Sequence, residues 1–267
     1  MLTEYAHTRL RPAIIFLCIA ISGCGSGATV RDESHSIAII KPLTTSANQF
    51  LEASLDWVII RGGPGSWADN VDWDEYLLHV TNISESSIRI TSVYVYDSLN
   101  TALETSGQRP ELVEQTKQTK KRYNGQGFTV RAGMGGDAMM AAGSTVYVAA
   151  TAAGWAVLAG SVAATSAVVT GVVVGAVIVA PVLIISGAVR GRNNAQLDSM
   201  IIERQTKLPL VLVPRETRKM HFFFPLAPSP QRVEIKYRND AGEHILLIDT
   251  RDVLSGLHFD PSQEPSE

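Results

Sequence analysis

AMMAAGSTVYVAATAAGWAVLAGSVAATSAVVTGVVVGAVIVAPVLIISGAV, residues 138–189, holds no Asp, Glu, Lys or Arg. Asp137 closes it on one side and Arg190 on the other, with Tyr147 and Trp155 early and Pro181 late. A helix crossing the roughly 30 Å hydrocarbon core of a bilayer needs about 20 apolar residues. The stretch therefore predicts two helices with a turn near Thr165-Ser166, an apolar helical hairpin that spans a membrane. Its first half, 139–164, is rich in Ala and Gly; its second, 168–189, is dominated by Val and Ile and inserts more readily. Small residues recur at helix-packing spacing. Gly171 pairs with Gly175 and Gly187 with Gly191, while Gly154 and Gly160 line a facing surface. The β-branched valines leave a strand alternative open, although polar and apolar residues do not alternate as in a barrel hairpin. A hairpin packed inside a soluble assembly is the other alternative.

Working outward, the flanks read as β-structure. Residues 56–60, 75–82 and 88–97 carry strand signals before the stretch, and 208–213, 219–224, 232–237 and 244–249 after it. Tyr76, Leu78 and Val80 share one face, as do Met220, Phe222 and Phe224. In 88–97 the apolar parity changes between Ile90 and Val93, which predicts a bulge or bend. Asn239 to Gly242 reads as a hairpin turn. Arg109–Tyr123 is a charged helix: Pro110 suits its first turn, Glu111 and Glu114 sit early, and Lys117, Lys120, Lys121 and Arg122 sit late. Three strands before and four after are each a thin core, but seven suit a two-sheet sandwich. The expected fold is mainly β with a membrane α-hairpin: an immunoglobulin-like β-sandwich in two parts, 49–137 and 190–250, interrupted by the insertion at 138–189. Two independent small domains are the alternative. If one sandwich forms, both ends of the insertion lie on one side of a membrane, which needs an even number of crossings.

The N-terminus reads as a targeting segment. Arg9 and Arg11 precede an apolar run, Pro12–Ile21, too short to span a bilayer, and small residues follow. Ile21-Ser22-Gly23-Cys24 resembles the lipobox of bacterial lipoproteins, with Ile where Leu is usual. The resemblance implies cleavage between Gly23 and Cys24, removal of 1–23 and lipid on Cys24. The absence of Asp after the cysteine implies transfer to the outer membrane. Of the two cysteines, Cys18 lies in the removed segment, so a mature chain has no internal disulfide. Residues 24–48 read as a tether with a short strand at Ile37–Ile40, and 251–267, rich in Pro, Ser and Glu, as a disordered tail. Lipobox, small-residue helices and a β part together are similar in layout to glycine-zipper outer-membrane lipoproteins of the seventeen-kilodalton surface-antigen type, over Ile21–Cys24 and Gly154–Gly191.

The 267 residues carry a net charge of -3, so bulk charge points to no nucleic-acid partner. No catalytic set, metal site or cofactor motif is assignable. Gly133, Gly135 and Gly136 lack a following GK[ST] and read as a hinge. Asp69, Asp72, Asp74 and Glu75, beside Trp67 and Trp73, do not fit an EF-hand; a solvated loop, a weak Ca²⁺ site or an interfacial Trp anchor are the readings. Ser66 lacks a GxSxG setting, and the six histidines form no zinc motif. Arg131, Arg190 and Arg192 flank the uncharged stretch, where contact with acidic lipid headgroups is expected. The functional expectation is a non-enzymatic envelope lipoprotein whose partners are membrane lipid and another envelope protein. The alternative is an oligomeric pore-forming or toxin-like component, a homo-oligomer assembled through the glycine-containing hairpin.

Overall fold

The computed structural model describes residues 27–31, 36–151, 154–160 and 190–260; at 36–38, 40, 144–151, 154–160 and 190–192 it describes backbone alone. In chain order come β1 (Thr29–Val30), β2 (Ser36–Lys41), β3 (Thr44–Ala47), β4 (Leu51–Ile59) and β5 (Ala68–Asp69). β6 (Trp73–Asn82), β7 (Ile88–Tyr96), β8 (Ala102–Glu104), α1 (Arg109–Asn124) and α2 (Asp137–Ala142) follow. β9 (Ser144–Thr151), β10 (Gly154–Gly160) and α3 (Arg190–Arg204) lead to β11 (Leu210–Leu212), β12 (Thr217–Pro225), β13 (Arg232–Asn239) and β14 (Gly242–Asp249).

Two antiparallel sheets form a β-sandwich. Sheet I has the order β12-β6-β4-β3, and sheet II the order β11-β7-β13-β14, with β8 on the same edge of β7 as β11. Period-two alternation supplies the core. Leu55, Tyr76, Leu78, Phe222 and Phe224 point in from sheet I, and Ile88, Ile90, Val93, Val95, Val233 and Ile235 from sheet II. β12 lies beside β6 and β13 beside β7, so strands from before and after the uncharged stretch interleave in both sheets. Those pairings exclude two independent small domains.

The parity change in β7 is a bulge at Thr91: Lys236 faces Ser92, Tyr237 faces Ile90, and Thr91 is left out of the backbone register with β13, its hydroxyl donating to Lys236 O at 3.1 Å. A second bulge in β4 leaves Asp56 out of the backbone ladder with β6, so that Asp56 and Trp57 both turn to the outer face. β13 and β14 meet through a two-residue turn between Asn239 and Gly242, the latter at φ +125°.

Four expectations are corrected. Over the described residues 139–151 and 154–160 the first half is not a transmembrane helix: after the six residues of α2, β9 and β10 form an antiparallel hairpin, and β2 pairs with β9 to make a third sheet. Val146, Tyr147, Val148, Trp155 and Val157 are strand formers, and a third strand makes such a hairpin viable. Gly154 and Gly160 are thus the ends of β10, opposite Thr151 and Thr145, and not helix-packing residues. Gly191 lies in α3, while Gly171, Gly175 and Gly187 lie outside the described residues, as do Cys24 and Gly23. Among the described residues no helix is long and apolar enough to cross a membrane. The stretch read as a tether contributes β1 and β3 besides the strand expected at Ile37–Ile40, which is β2, with β1 paired to β5 and β3 to β4. The start of the region read as a tail is core instead: Leu254, Leu257 and His258 are fully buried, and Val130 bridges to Phe259. α3 went unpredicted; its inward face is carried by Leu197 and Ile201, four apart.

Candidate functional site

The outer face of sheet I is roofed. At one end Phe223 and Trp73 pack with Trp67, Leu112 of α1 and Leu197 and Ile201 of α3. At the other end Trp57 sits under Leu43 and Gly143; a Cβ on Gly143 would lie 2.2 Å from the Trp57 ring, so only glycine permits that approach. Under the α3 roof Glu75, with its side chain 2% exposed, is held by three residues from three directions. Trp67 Nε1 donates to it at 2.8 Å, Arg204 Nε donates at 3.1 and 3.2 Å, and His221 Nδ1 lies 2.7 Å away. Burial by itself raises the Glu75 pKa. The hydrogen bond to His221 and the charge of Arg204 outweigh it and hold the carboxyl below its ordinary range. The arrangement clamps the end of α3 onto β6 and β12. Beside it, Ile59, Ile60, Ser66, Trp67, Val71 and Glu75 line a cavity of about 10 Å³, near the least that holds one water.

Two further carboxylate–histidine pairs tie distant elements together. Asp56, turned outward by its bulge, meets His79 Nδ1 with one oxygen and accepts from Ser54 Oγ at 2.6 Å with the other. Asp74 and His258, both fully buried, meet at 2.6 Å between Oδ2 and Nε2. His258 lies on the turn that plugs one end of the sandwich. There its N–H donates to Met134 O, its carbonyl accepts from Arg131 N–H, and Gly135 (φ +64°) passes so close to Gly256 that no Cβ fits. Burial and then the Asp74 charge push the Tyr76 phenol well above its usual range.

These contacts settle the acidic cluster. Asp69 pairs with Arg31 at 2.8 Å, Asp72 with Lys120 at 3.1 Å, Asp74 with His258, and Glu75 with Arg204 and His221. Each carboxylate already holds its own cation or imidazole. Trp67 and Trp73 are 5% and 3% exposed, which removes the interfacial-anchor reading. No group of three or more metal-ligating side chains gathers among the described residues. In the basic run, Lys120 and Arg122 turn inward to Asp72 and Asp97, while Lys117 pairs with Glu114. Arg131 reaches Asp260 at 3.5 Å and stays 61% exposed; Arg190 and Arg192 begin α3. The histidine pairing escaped sequence reading because its partners lie 23, 146 and 184 residues apart.

Sheet II presents the opposite case. Its outer face carries Arg89, Tyr94 and Tyr96 from β7 and Arg232, Glu234, Lys236 and Arg238 from β13. Lys236 faces Ile245, and Glu234 faces Leu247, on β14. The Arg232 guanidinium stands 3.7 Å over the Tyr96 ring and the Lys236 ammonium 4.9 Å over Tyr94. Ile245 and Leu247 are 51% and 49% exposed. Charged, aromatic and aliphatic groups thus lie together on a sheet face that no helix of the described residues covers, and this face is the candidate site. No protein family, no curated protein and no solved structure matches the chain.

Proposed function

We propose that the chain is a bacterial envelope lipoprotein, held by lipid on Cys24, whose sandwich is a non-catalytic binding module. The observation that carries this reading is Ile21-Ser22-Gly23-Cys24 and its distance from the fold. Cleavage before Cys24 leaves five steps to Thr29 at the start of β1, a reach of about 17 Å at most. β1 lies against α3 on the outer side of sheet I, so the lipid would hold the molecule by that side. Gly25-Ser26, without Asp, supports an outer-membrane position facing the periplasm. The sandwich is read as immunoglobulin-like: β4-β6-β12 take the places of strands A-B-E and β7-β13-β14 those of C-F-G, with β11 shifted onto β7. Binding rather than catalysis is favoured because the buried carboxylates are each engaged by a structural cation or imidazole.

Labelled palmitate should enter the wild-type chain and not Cys24→Ala; incorporation that survives the substitution rejects the anchor. A second reading, membrane insertion of the uncharged stretch with assembly into a pore, is favoured by the complete lack of charge from 138 to 189. It predicts that Cys24→Ala stays with membranes through alkaline carbonate extraction. It also predicts that Gly171→Leu with Gly175→Leu abolishes crosslinked oligomers. Release into the soluble fraction, or unchanged oligomers, counts against it.

A further inference from the structure

The geometry points to the outer face of sheet II as the docking surface for a protein partner that offers acidic side chains bordered by aliphatic ones. Charge complementarity carries the assignment. Arg89 and Arg238 stand directly opposite each other across β7 and β13. Cβ atoms so placed are about 4.5–5.5 Å apart, and like charges there repel. Both arginines are exposed, and neither guanidinium reaches a carboxylate among the described residues; Glu243 faces Arg238 from β14 without closing an ion pair. On sheet I and its roof Asp69, Asp72, Asp97 and Glu75 each hold a cation, and on the sheet II face Lys236 pairs with Glu234 at 3.5 Å. Among the described residues this leaves Arg89 and Arg238 as the unpaired cations of this face that stand opposite each other. The face as a whole is balanced, with Glu104, Glu234, Glu243 and Asp249 against Arg89, Arg232, Lys236 and Arg238. The surplus positive charge is therefore local to the Arg89–Arg238 corner, and that corner is complementary to incoming negative charge.

The second observation is aliphatic. Of the five large hydrophobic side chains exposed among the described residues, Val211, Ile245 and Leu247 lie on this face, with Val211 facing Arg89. Tyr94 and Tyr96 stand between, stiffened by the cations over their rings. Tyr and Arg with an apolar strip is the composition of a protein interface. A charged glycan would leave Ile245 and Leu247 without partners. A lipid surface is disfavoured by position: β1, and with it the lipid on Cys24 under the reading above, lies beyond sheet I, so this face looks away from the bilayer. Four strands about 4.8 Å apart and eight residues at about 3.3 Å each give a face of roughly 500 Å². That is the size of a transient interface.

The test uses the full chain carrying Cys24→Ala, so that docking is read without lipid and its failure is separate from failure of the anchor. The probe is a synthetic peptide alternating Glu and Leu, titrated against the protein, with a Lys-Leu peptide and phosphatidylglycerol vesicles as comparisons. Binding should be confined to the Glu-Leu peptide and weaken as salt rises. Arg89→Gln with Arg238→Gln should lower affinity about tenfold, and Ile245→Ser with Leu247→Ser severalfold, with unfolding midpoints unchanged or raised. Lys117→Gln with Lys121→Gln, on α1, should bind as the parent does. Affinity unmoved by both sheet II variants, equal loss in the α1 variant, binding to vesicles alone, or self-association through this face would each overturn the assignment.

Discussion

Sheet I and sheet II share one core and differ in what lies on their outer faces. On sheet I, Phe223 and Trp73 are sealed beneath α1 and α3, and the polar groups between them are neutralised one by one. On sheet II, Tyr94 and Tyr96 have Lys236 and Arg232 over their rings, Arg89 faces Arg238, and Ile245 and Leu247 are about half exposed. One sheet therefore spends its outer side chains on holding the roof, and the other leaves them available. The difference separates positions where substitution removes stability from positions where it removes recognition.

The sharpest way to break the comparison is to delete an outer aromatic ring from each sheet. Phe223→Ala should cost about 3–5 kcal/mol, as for a ring lost from a sealed core. Tyr94→Ala should cost no more than about 1 kcal/mol, the value of an exposed cation–π contact. Urea unfolding midpoints measure both, and equal costs would mean that sheet II is as closed as sheet I. Next in size is Arg204→Met, which leaves Glu75 buried with His221 and Trp67 alone. Breaking a buried pair costs about 3–5 kcal/mol; with Arg204 29% exposed, about 2 kcal/mol is expected.

The same clamp sets an acid limb. Glu75 is held below its ordinary range when folded, so its stabilising contribution is complete above the unfolded value of 4.5. That contribution is lost as pH falls through the lower folded value. Glu75→Gln should be less stable at neutral pH and show a flatter loss between about pH 5 and pH 3 in urea midpoints. A mirror effect belongs to Tyr123, raised to about 12 by burial. Its contribution is complete below pH 10 and lost as pH rises toward 12, so Tyr123→Phe should flatten the alkaline limb. The smallest effect belongs to sheet II: Arg238→Gln should leave stability within about 0.5 kcal/mol of the parent, on the stabilising side. A clear destabilisation there would show that the arginine pair supports the fold.

Much of the sandwich was legible because strand alternation is a local signal. Tyr76-Leu78-Val80 and Met220-Phe222-Phe224 announced their inward faces, and the parity change between Ile90 and Val93 announced the bulge at Thr91. The candidate face was not legible. Arg89 and Arg238, or Tyr96 and Arg232, are far apart in the chain, and only β7 pairing with β13 brings them together. The uncharged stretch misled for a related reason. An apolar run reads equally as buried helix or buried strand until a partner is known, and β2 is that partner for β9.

By itself the sequence determined the strand periods, the charged helix at Arg109–Tyr123, the hairpin turn before Gly242 and the Cys24 motif, since each depends on residues within a few positions of one another. Only the tertiary structure decided which sheet is roofed, which carboxylate meets which histidine, and that Ala149 and Val157 belong to strands. Those outcomes depend on pairings between residues tens to hundreds of positions apart, where strand register and packing, rather than local propensity, choose the neighbour.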